Sequence, residues 1–161
     1  MERNLRTHGD MEVPEHLWRH PTAAALERLA ARFGFVADPS MQDPEAEWAD
    51  SGRIDEFLAV YEAGELGEDE RFLLMTVVLN SFEFADRALA HWPQWPRTLH
   101  LLERDIAIHI HSVLYFAGPG GGERNWRIGP DLWAIAARHA AAFGYVLSFQ
   151  DESSCLPPDR S

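Results

Sequence analysis

The stretch at residues 72–90 constrains the fold of this chain more than any other part of the sequence. Its apolar side chains occupy several faces of a helix instead of one stripe. They are Leu73, Leu74, Val77, Val78, Leu79, Phe82 and Ala85. A helix that is apolar nearly all round must be covered by other elements on most sides. Three acids at residues 68–70 precede it, where the positive end of the helix dipole favours them. We therefore predict a central, buried helix that begins at residue 68.

Amphipathic segments on either side of this stretch supply helices that would cover it. One ends at Gly34, which suits a left-handed helix cap. The pair Asp43-Pro44 is a typical helix start, and an apolar stripe at residues 54–61 marks a further helix. Residues 97–117 and 131–143 continue the same periodicity.

These elements predict an all-α fold, a single domain over residues 1–150 with five or six helices. The helices at residues 68–90 and 97–117 would form an antiparallel central pair, because the Trp-Pro-Gln-Trp-Pro connector between them is short. We predict a loose N-terminal arm at residues 1–20 and a disordered tail at residues 151–161. Residues 145–149 alternate weakly and suit a short strand.

Composition excludes several classes of protein. The 46% of hydrophobic and 25% of charged residues in the 161-residue chain are typical of a globular domain and not of a disordered one. No apolar run approaches the ~20 residues of a membrane span, and residues 1–13 contain no apolar region of the kind found in signal peptides. Cys155 is the only cysteine, which excludes an intrachain disulfide. We expect a cytoplasmic protein.

Nearly all of the net charge of −12 lies in one fifth of the chain. Residues 38–70, called the acidic block below, contain twelve carboxylates and one basic residue, Arg53, for a net charge of −11. Such a field repels nucleic acids and anionic membranes, and it attracts basic proteins. We expect no nucleic-acid or membrane partner. A solvated face that only keeps the protein in solution is an equally open interpretation.

The predicted helix at residues 97–117 carries a polar constellation that resembles a catalytic one. Asp105 and His109 are four residues apart, so the carboxylate can reach the imidazole. Ser112 shares their face, but a serine within a helix lacks the exposed position that a hydrolase triad requires. We therefore predict that Asp105 and His109 are a structural polar pair and that the chain has no catalytic residue. His109 and His111 would point apart on a helix, so we expect no metal site and no cofactor.

Trp48 is the tryptophan that lies inside the acidic block. An aromatic side chain surrounded by carboxylates is typical of a protein-binding surface with a packed anchor and a charged rim. The predicted partner-binding residues are Asp43, Glu45, Glu47, Trp48, Asp50, Asp55 and Glu56. The alternative is that Trp48 only packs its short helix against the core.

Residues in the second half of the chain also form a familiar pattern. They are Leu101-Leu102, Asp105, Ile108-His109, Ser112-Val113 and Tyr115-Phe116, with Trp95 before them and Trp126, Ile128 and Leu132 after them. Together with the apolar helix before them, they resemble the small helical immunity proteins of bacterial polymorphic-toxin and contact-dependent inhibition systems, over residues 68–150. Phe116 stands where that pattern would have Trp. The resemblance implies a cytoplasmic, non-catalytic inhibitor of one cognate toxin, and it assigns no contact residues.

The acidic block suits such a role independently of the resemblance. Many of these toxins are nucleases with basic clefts, and complementary fields accelerate the association of two proteins. The expected partner is therefore a basic toxin protein, and whether the chain is a monomer or a dimer stays open. Two other classes also stay open. One is a small enzyme that uses Asp105, His109 and His139, and the other is an acidic adaptor in a helical regulatory complex.

Overall fold

A computed structural model describes residues 13–118 and 126–147 of the chain. In these residues the chain forms seven α-helices. They are α1 (Ala23–Phe33), α2 (Pro44–Glu47), α3 (Ile54–Glu62), α4 (Glu68–Glu83), α5 (Gln94–Arg104), α6 (Ile106–Phe116) and α7 (Gly129–Phe143). Three single 3₁₀ turns lie at Glu15–Leu17, Ser51–Arg53 and Leu89–His91. The all-α prediction is confirmed. None of the described helices is both long and apolar enough to cross a membrane.

The C-terminal strand suggested by the sequence is not seen in the part that the structure describes. Residues 145–147 follow α7 without strand pairing. The Tyr145 hydroxyl bonds the Ala136 carbonyl of α7, so this segment folds back on the helix that precedes it. Residues 148–149 and the tail predicted at residues 151–161 lie outside the described residues.

The central position of α4 is confirmed. Eleven of its sixteen residues are buried, and α1, α2, α3 and α6 pack around it. The helix ends at Glu83 and does not continue to residue 90, because Phe84 leaves the helical conformation and a 3₁₀ turn follows at Leu89–His91.

The helix predicted over residues 97–117 is two helices, because the chain turns at Asp105. The dihedral angles of Asp105, φ −109° and ψ 34°, lie outside the helical region. The stretch contains neither proline nor glycine, so nothing in its apolar periodicity marks the turn. The split accounts for the seventh helix.

The turn at Asp105 also changes which helix packs on α4, and in which direction. Phe82, at the end of α4, contacts Trp95 at the start of α5, while Arg71, near the start of α4, lies 3.7 Å from Asp105. Helix α5 therefore runs opposite to α4. After the turn, Thr76 meets Ser112, so α6 runs in the same direction as α4.

Helix α6 makes the more extensive contact with α4. The predicted antiparallel pair is thus correct for α4 and α5 and wrong for α4 and α6. The prediction assumed one unbroken helix after the Trp-Pro connector. The reversal at its midpoint gives its two halves opposite directions relative to α4.

Residues 13–20 are tied to the bundle, in contrast to the loose arm predicted there. Val13 is buried, and the His16 ring lies 3.1 Å from the Phe143 carbonyl oxygen at the end of α7. Arg19 pairs with Asp69 at 2.9 Å and lies over the Phe72 ring. The remainder of the predicted arm, residues 1–12, is outside the described residues.

Glu83 joins the end of α4 to the start of α7. Its two carboxylate oxygens accept the backbone N–H groups of Arg127 at 3.0 Å and Ile128 at 3.1 Å. These N–H groups lie at the N-terminal end of α7, where the helix has no acceptors of its own and the helix dipole favours an anion. The carboxylate therefore acts as a cap supplied by another helix.

We predict that Glu83→Gln lowers the free energy of unfolding by about 1–2 kcal/mol, because an amide retains one acceptor oxygen and turns an NH2 group toward a backbone donor. Urea denaturation measures the effect. The matched control is Glu27→Gln, at an exposed position of α1, which should change stability by less than about 0.5 kcal/mol. Equal effects of the two substitutions would contradict the capping role.

Candidate functional site

The polar site of the interior is built around the turn at Asp105. Its Oδ2 atom accepts the Tyr61 hydroxyl of α3 at 2.7 Å and Nη2 of Arg104 at 2.8 Å. Arg71, from α4, lies 3.7 Å from the same oxygen. Three helices therefore contribute a donor or a positive charge to the residue that separates α5 from α6.

His109 completes this network from within α6. Its side chain is fully buried, and its Nε2 atom lies 2.6 Å from the Tyr61 hydroxyl oxygen. Tyr61 has one proton, and the Asp105 carboxylate can only accept, so the hydroxyl donates to Asp105. The hydroxyl oxygen then accepts a hydrogen bond from the Nε2–H group of His109. The Nδ1 atom of His109 is thereby left as a bare acceptor, and it has no hydrogen-bond partner in the described part of the chain.

The charges around the network fix the protonation of its members. The hydrogen bond from Arg104 holds the pKa of Asp105 below its usual range, with support from Tyr61 and Arg71. Burial, and then the hydrogen bond to Asp105, raises the pKa of Tyr61. Burial lowers the pKa of His109 to about 3, against the attraction of Asp105. At neutral pH the network is therefore a neutral phenol, a carboxylate and a neutral imidazole.

The predicted pair of Asp105 and His109 is thus brought together through Tyr61 as a shared partner. Ser112, on the same sequence stripe, lies against Thr76 of α4, and His139 contacts Glu103 of α5 at 3.2 Å. Tyr61 was not predicted as a member of this site, because it occupies an apolar stripe position of α3. A tyrosine at a core position was the available signal, since a buried hydroxyl nearly always has a hydrogen-bond partner.

In residues 13–118 and 126–147, no three His, Cys, Asp or Glu side chains lie close enough together to hold a metal ion. His109 is buried against Tyr61. His111 lies two residues further along α6, half-buried and in contact with the Phe72 ring. The two histidines thus have different surroundings.

The acidic block divides into two halves according to its ion pairs. Six of its twelve carboxylates lie within 4.0 Å of an arginine. The pairs are Glu56 with Arg53, Glu62 with Arg97, Glu65 with Arg32, Glu68 and Asp69 with Arg19, and Glu70 with Arg28. All six lie at residues 56–70. The other six have no ion pair among the described residues, and all lie at residues 38–55.

We call these six the unpaired acids. They are Asp38, Asp43, Glu45, Glu47, Asp50 and Asp55. Asp38, Asp50 and Asp55 accept hydrogen bonds from neutral donors, from Ser40, Gly52 and Gln94 respectively. Glu45 is half-buried, and burial raises its pKa. Five of the seven predicted partner-binding residues belong to this set.

The other two predicted partner-binding residues have partners within the chain. Glu56 accepts two hydrogen bonds from Arg53, which also lies over the Phe33 ring. Trp48 is 5% exposed, stacks on Phe35 with ring centroids 4.6 Å apart, and donates its indole N–H to a backbone carbonyl at 3.0 Å. Trp48 would have to leave this packing to contact a partner, so in the structure it holds α2 against the core.

Comparison of the chain with known protein families, with characterised proteins and with solved structures gave no match. The resemblance to immunity proteins therefore stays a prediction, neither supported nor contradicted from outside the chain.

We predict that Tyr61→Phe lowers the free energy of unfolding by about 1–3 kcal/mol, because it leaves both Asp105 and the Nε2 donor of His109 without their shared partner. Urea denaturation again measures the loss. The matched control is Tyr115→Phe, which removes an equivalent hydroxyl from a half-exposed position of α6. If the two substitutions cost the same, the network does not hold the turn.

We also predict that stability falls as the pH falls from about 6.5 toward about 3. The folded chain keeps His109 neutral down to a pKa of about 3, while the unfolded chain protonates it near 6.5. Above about pH 6.5, His109 is neutral in both the folded and the unfolded chain, and its titration does not lower stability. Below that pH, the free energy of unfolding falls by up to roughly 1.4 kcal/mol per pH unit, because only the unfolded chain protonates His109.

The measurement is the free energy of unfolding as a function of pH, for the parent and for His109→Gln. The substitution should flatten the slope. His100→Gln, at an exposed position of α5, should leave the slope unchanged. Burial also lowers the pKa of His111, which adds a slope of the same sign that both variants retain. Parallel curves for the parent and His109→Gln would contradict the prediction.

Proposed function

We propose that this chain is a non-catalytic immunity protein that binds and neutralises a basic toxin protein through its unpaired acids. The observation that carries the proposal is the division of the acidic block. Arginines from α1, α5 and the segment before α1 neutralise the acids at residues 62–70, whereas residues 38–55 keep six carboxylates without an ion pair among the described residues. The charge that attracts a partner is thus concentrated in a short part of the block.

Placing like charges close together costs stability through mutual repulsion, and a basic partner relieves that cost on binding. Such a surface acts mainly on the rate of association, because its field guides the partner before contact. Trp48 supports this surface from below, since its stacking on Phe35 holds the helix that carries Glu45 and Glu47. The class of partner, a toxin, comes from the resemblance of residues 68–150 to immunity proteins.

The burial of the polar site supports a non-catalytic function. A catalytic imidazole must reach the proton of a substrate within hydrogen-bond distance. His109 is fully buried, and its Nε2 atom is engaged by Tyr61. A substrate would reach this ring only if the packing of α3 and α6 opened. An acidic adaptor of a helical regulatory complex would use the same acidic surface. It would differ from the proposed immunity protein in binding a partner other than a toxin.

We predict that the double variant Asp43→Asn/Glu47→Gln slows association with the protein encoded by the neighbouring gene by roughly three- to tenfold at low salt. Both residues are exposed and belong to the unpaired acids. The difference should shrink at high salt, because ions screen exposed charges. Surface-based binding kinetics at two ionic strengths measures both rates.

The matched control is Glu62→Gln/Glu65→Gln, which changes the net charge by the same amount at acids that already pair with Arg97 and Arg32. This variant should slow association much less. If both double variants slow it equally, only the total charge matters and residues 38–55 are not the binding surface. If the neighbouring gene product does not bind the parent chain, the proposed partner is wrong.

A further inference from the structure

Five aromatic rings form a continuous ridge on a part of the molecule that the proposed function does not use. Trp18 contacts His20, His20 contacts His111, His111 stacks on Tyr115, and Tyr115 contacts Trp126. The ring centroids are 6.0, 6.3, 6.3 and 6.1 Å apart in that order. These residues, called the aromatic ridge below, come from the segment before α1, from α6 and from the residue that leads into α7.

The ridge presents ring surface to solvent mainly at three of its five residues, while His111 and Trp126 are half-buried. Trp18 is 53% exposed and Tyr115 47% exposed, and His20 is exposed between them. Single exposed apolar residues are ordinary on protein surfaces, whereas a contiguous set of aromatic side chains is typical of a binding surface. The ridge shares no residue with the acidic block, so its ligand is a separate question from the toxin partner.

The course of the chain indicates what lies near the ridge. At one end, the His16 ring contacts the Phe143 carbonyl oxygen, so α7 ends beside the segment that leads to Trp18. At the other end, Trp126 lies three residues before the start of α7. The ridge therefore extends along α7, whose fifteen residues span about 22 Å.

Residues 148–161 continue the chain from the end of α7. This stretch contains Leu156, Pro157 and Pro158. The ten residue steps from Leu147 to Pro157 span about 33 Å when extended, which exceeds the length of α7. The two prolines can therefore reach any part of the ridge without movement of the bundle.

The chemistry of this stretch fits the ridge. Consecutive prolines favour the polyproline II conformation, which has little conformational entropy to lose on binding and presents ring faces to aromatic side chains. We propose that the segment around Pro157-Pro158 docks on the aromatic ridge of its own chain, with the proline rings against Trp18 and Tyr115. The inference does not rest on the proposed function.

The single cysteine of the chain makes the test possible without engineering. A nitroxide attached to Cys155, two residues before Pro157, broadens the NMR signals of nuclei near it. In the 161-residue chain we expect loss of intensity at the indole N–H signals of Trp18 and Trp126 and at the backbone amide of Tyr115, relative to the reduced, diamagnetic label. Unchanged intensities at these three positions overturn the proposal.

Two variants and one mixing experiment sharpen the result. Pro157→Ser/Pro158→Ser and, separately, Tyr115→Ser should restore the ridge signals. Phe84→Ser, at a 63% exposed aromatic residue at the end of α4, is the matched control and should not restore them. Broadening that survives both substitutions overturns the proposed contact. Broadening of an isotope-labelled chain by the nitroxide on a second, unlabelled chain would show that another copy is the occupant, which also overturns it.

Discussion

The turn at Asp105 is the feature on which the arrangement of the other helices depends. It gives α5 and α6 opposite directions relative to α4, so that α6 can pack along α4 while α5 reaches α3 and α7. An ionised carboxylate at a partly buried turn is costly unless donors surround it. Tyr61, Arg104 and Arg71 supply those donors and charges from three helices, and His109 bonds the same tyrosine from α6. The interior polar network therefore stabilises the turn between α5 and α6.

Local patterns in the sequence predicted much of the fold. The all-round apolar composition of α4 correctly indicated its central burial, and Gly34 caps α1 in the left-handed conformation that the sequence suggested. The turn at Asp105 was not predictable in this way. Apolar residues recur at helical spacing through it, and no proline or glycine interrupts them. Its cause is a set of contacts with residues 34 and 44 positions earlier in the chain, which periodicity does not register.

For the candidate site too, features that depend on neighbouring residues were predicted from the sequence, and features that depend on distant contacts were not. Counting charges located the acidic block, and the spacing of Asp105 and His109 indicated a polar pair. The sequence did not reveal that half of the block is neutralised, because four of the five arginines involved lie outside it. It also did not reveal that Trp48 is buried, because the partner of that indole, Phe35, belongs to the loop that follows α1.

The positions of the arginines explain why the acids at residues 56–70 are paired and those at residues 38–55 are not. Of the ten arginines that the structure describes, eight form ion pairs, and the carboxylates that they contact lie at residues 56–105. Most of these pairs join different elements of the bundle, so the positive charges are committed to the scaffold. Arg127 bonds the Phe82 carbonyl and Arg87 lies over the Trp92 ring. Within the described chain, the arginines that hold the helices together therefore form no ion pair with the unpaired acids.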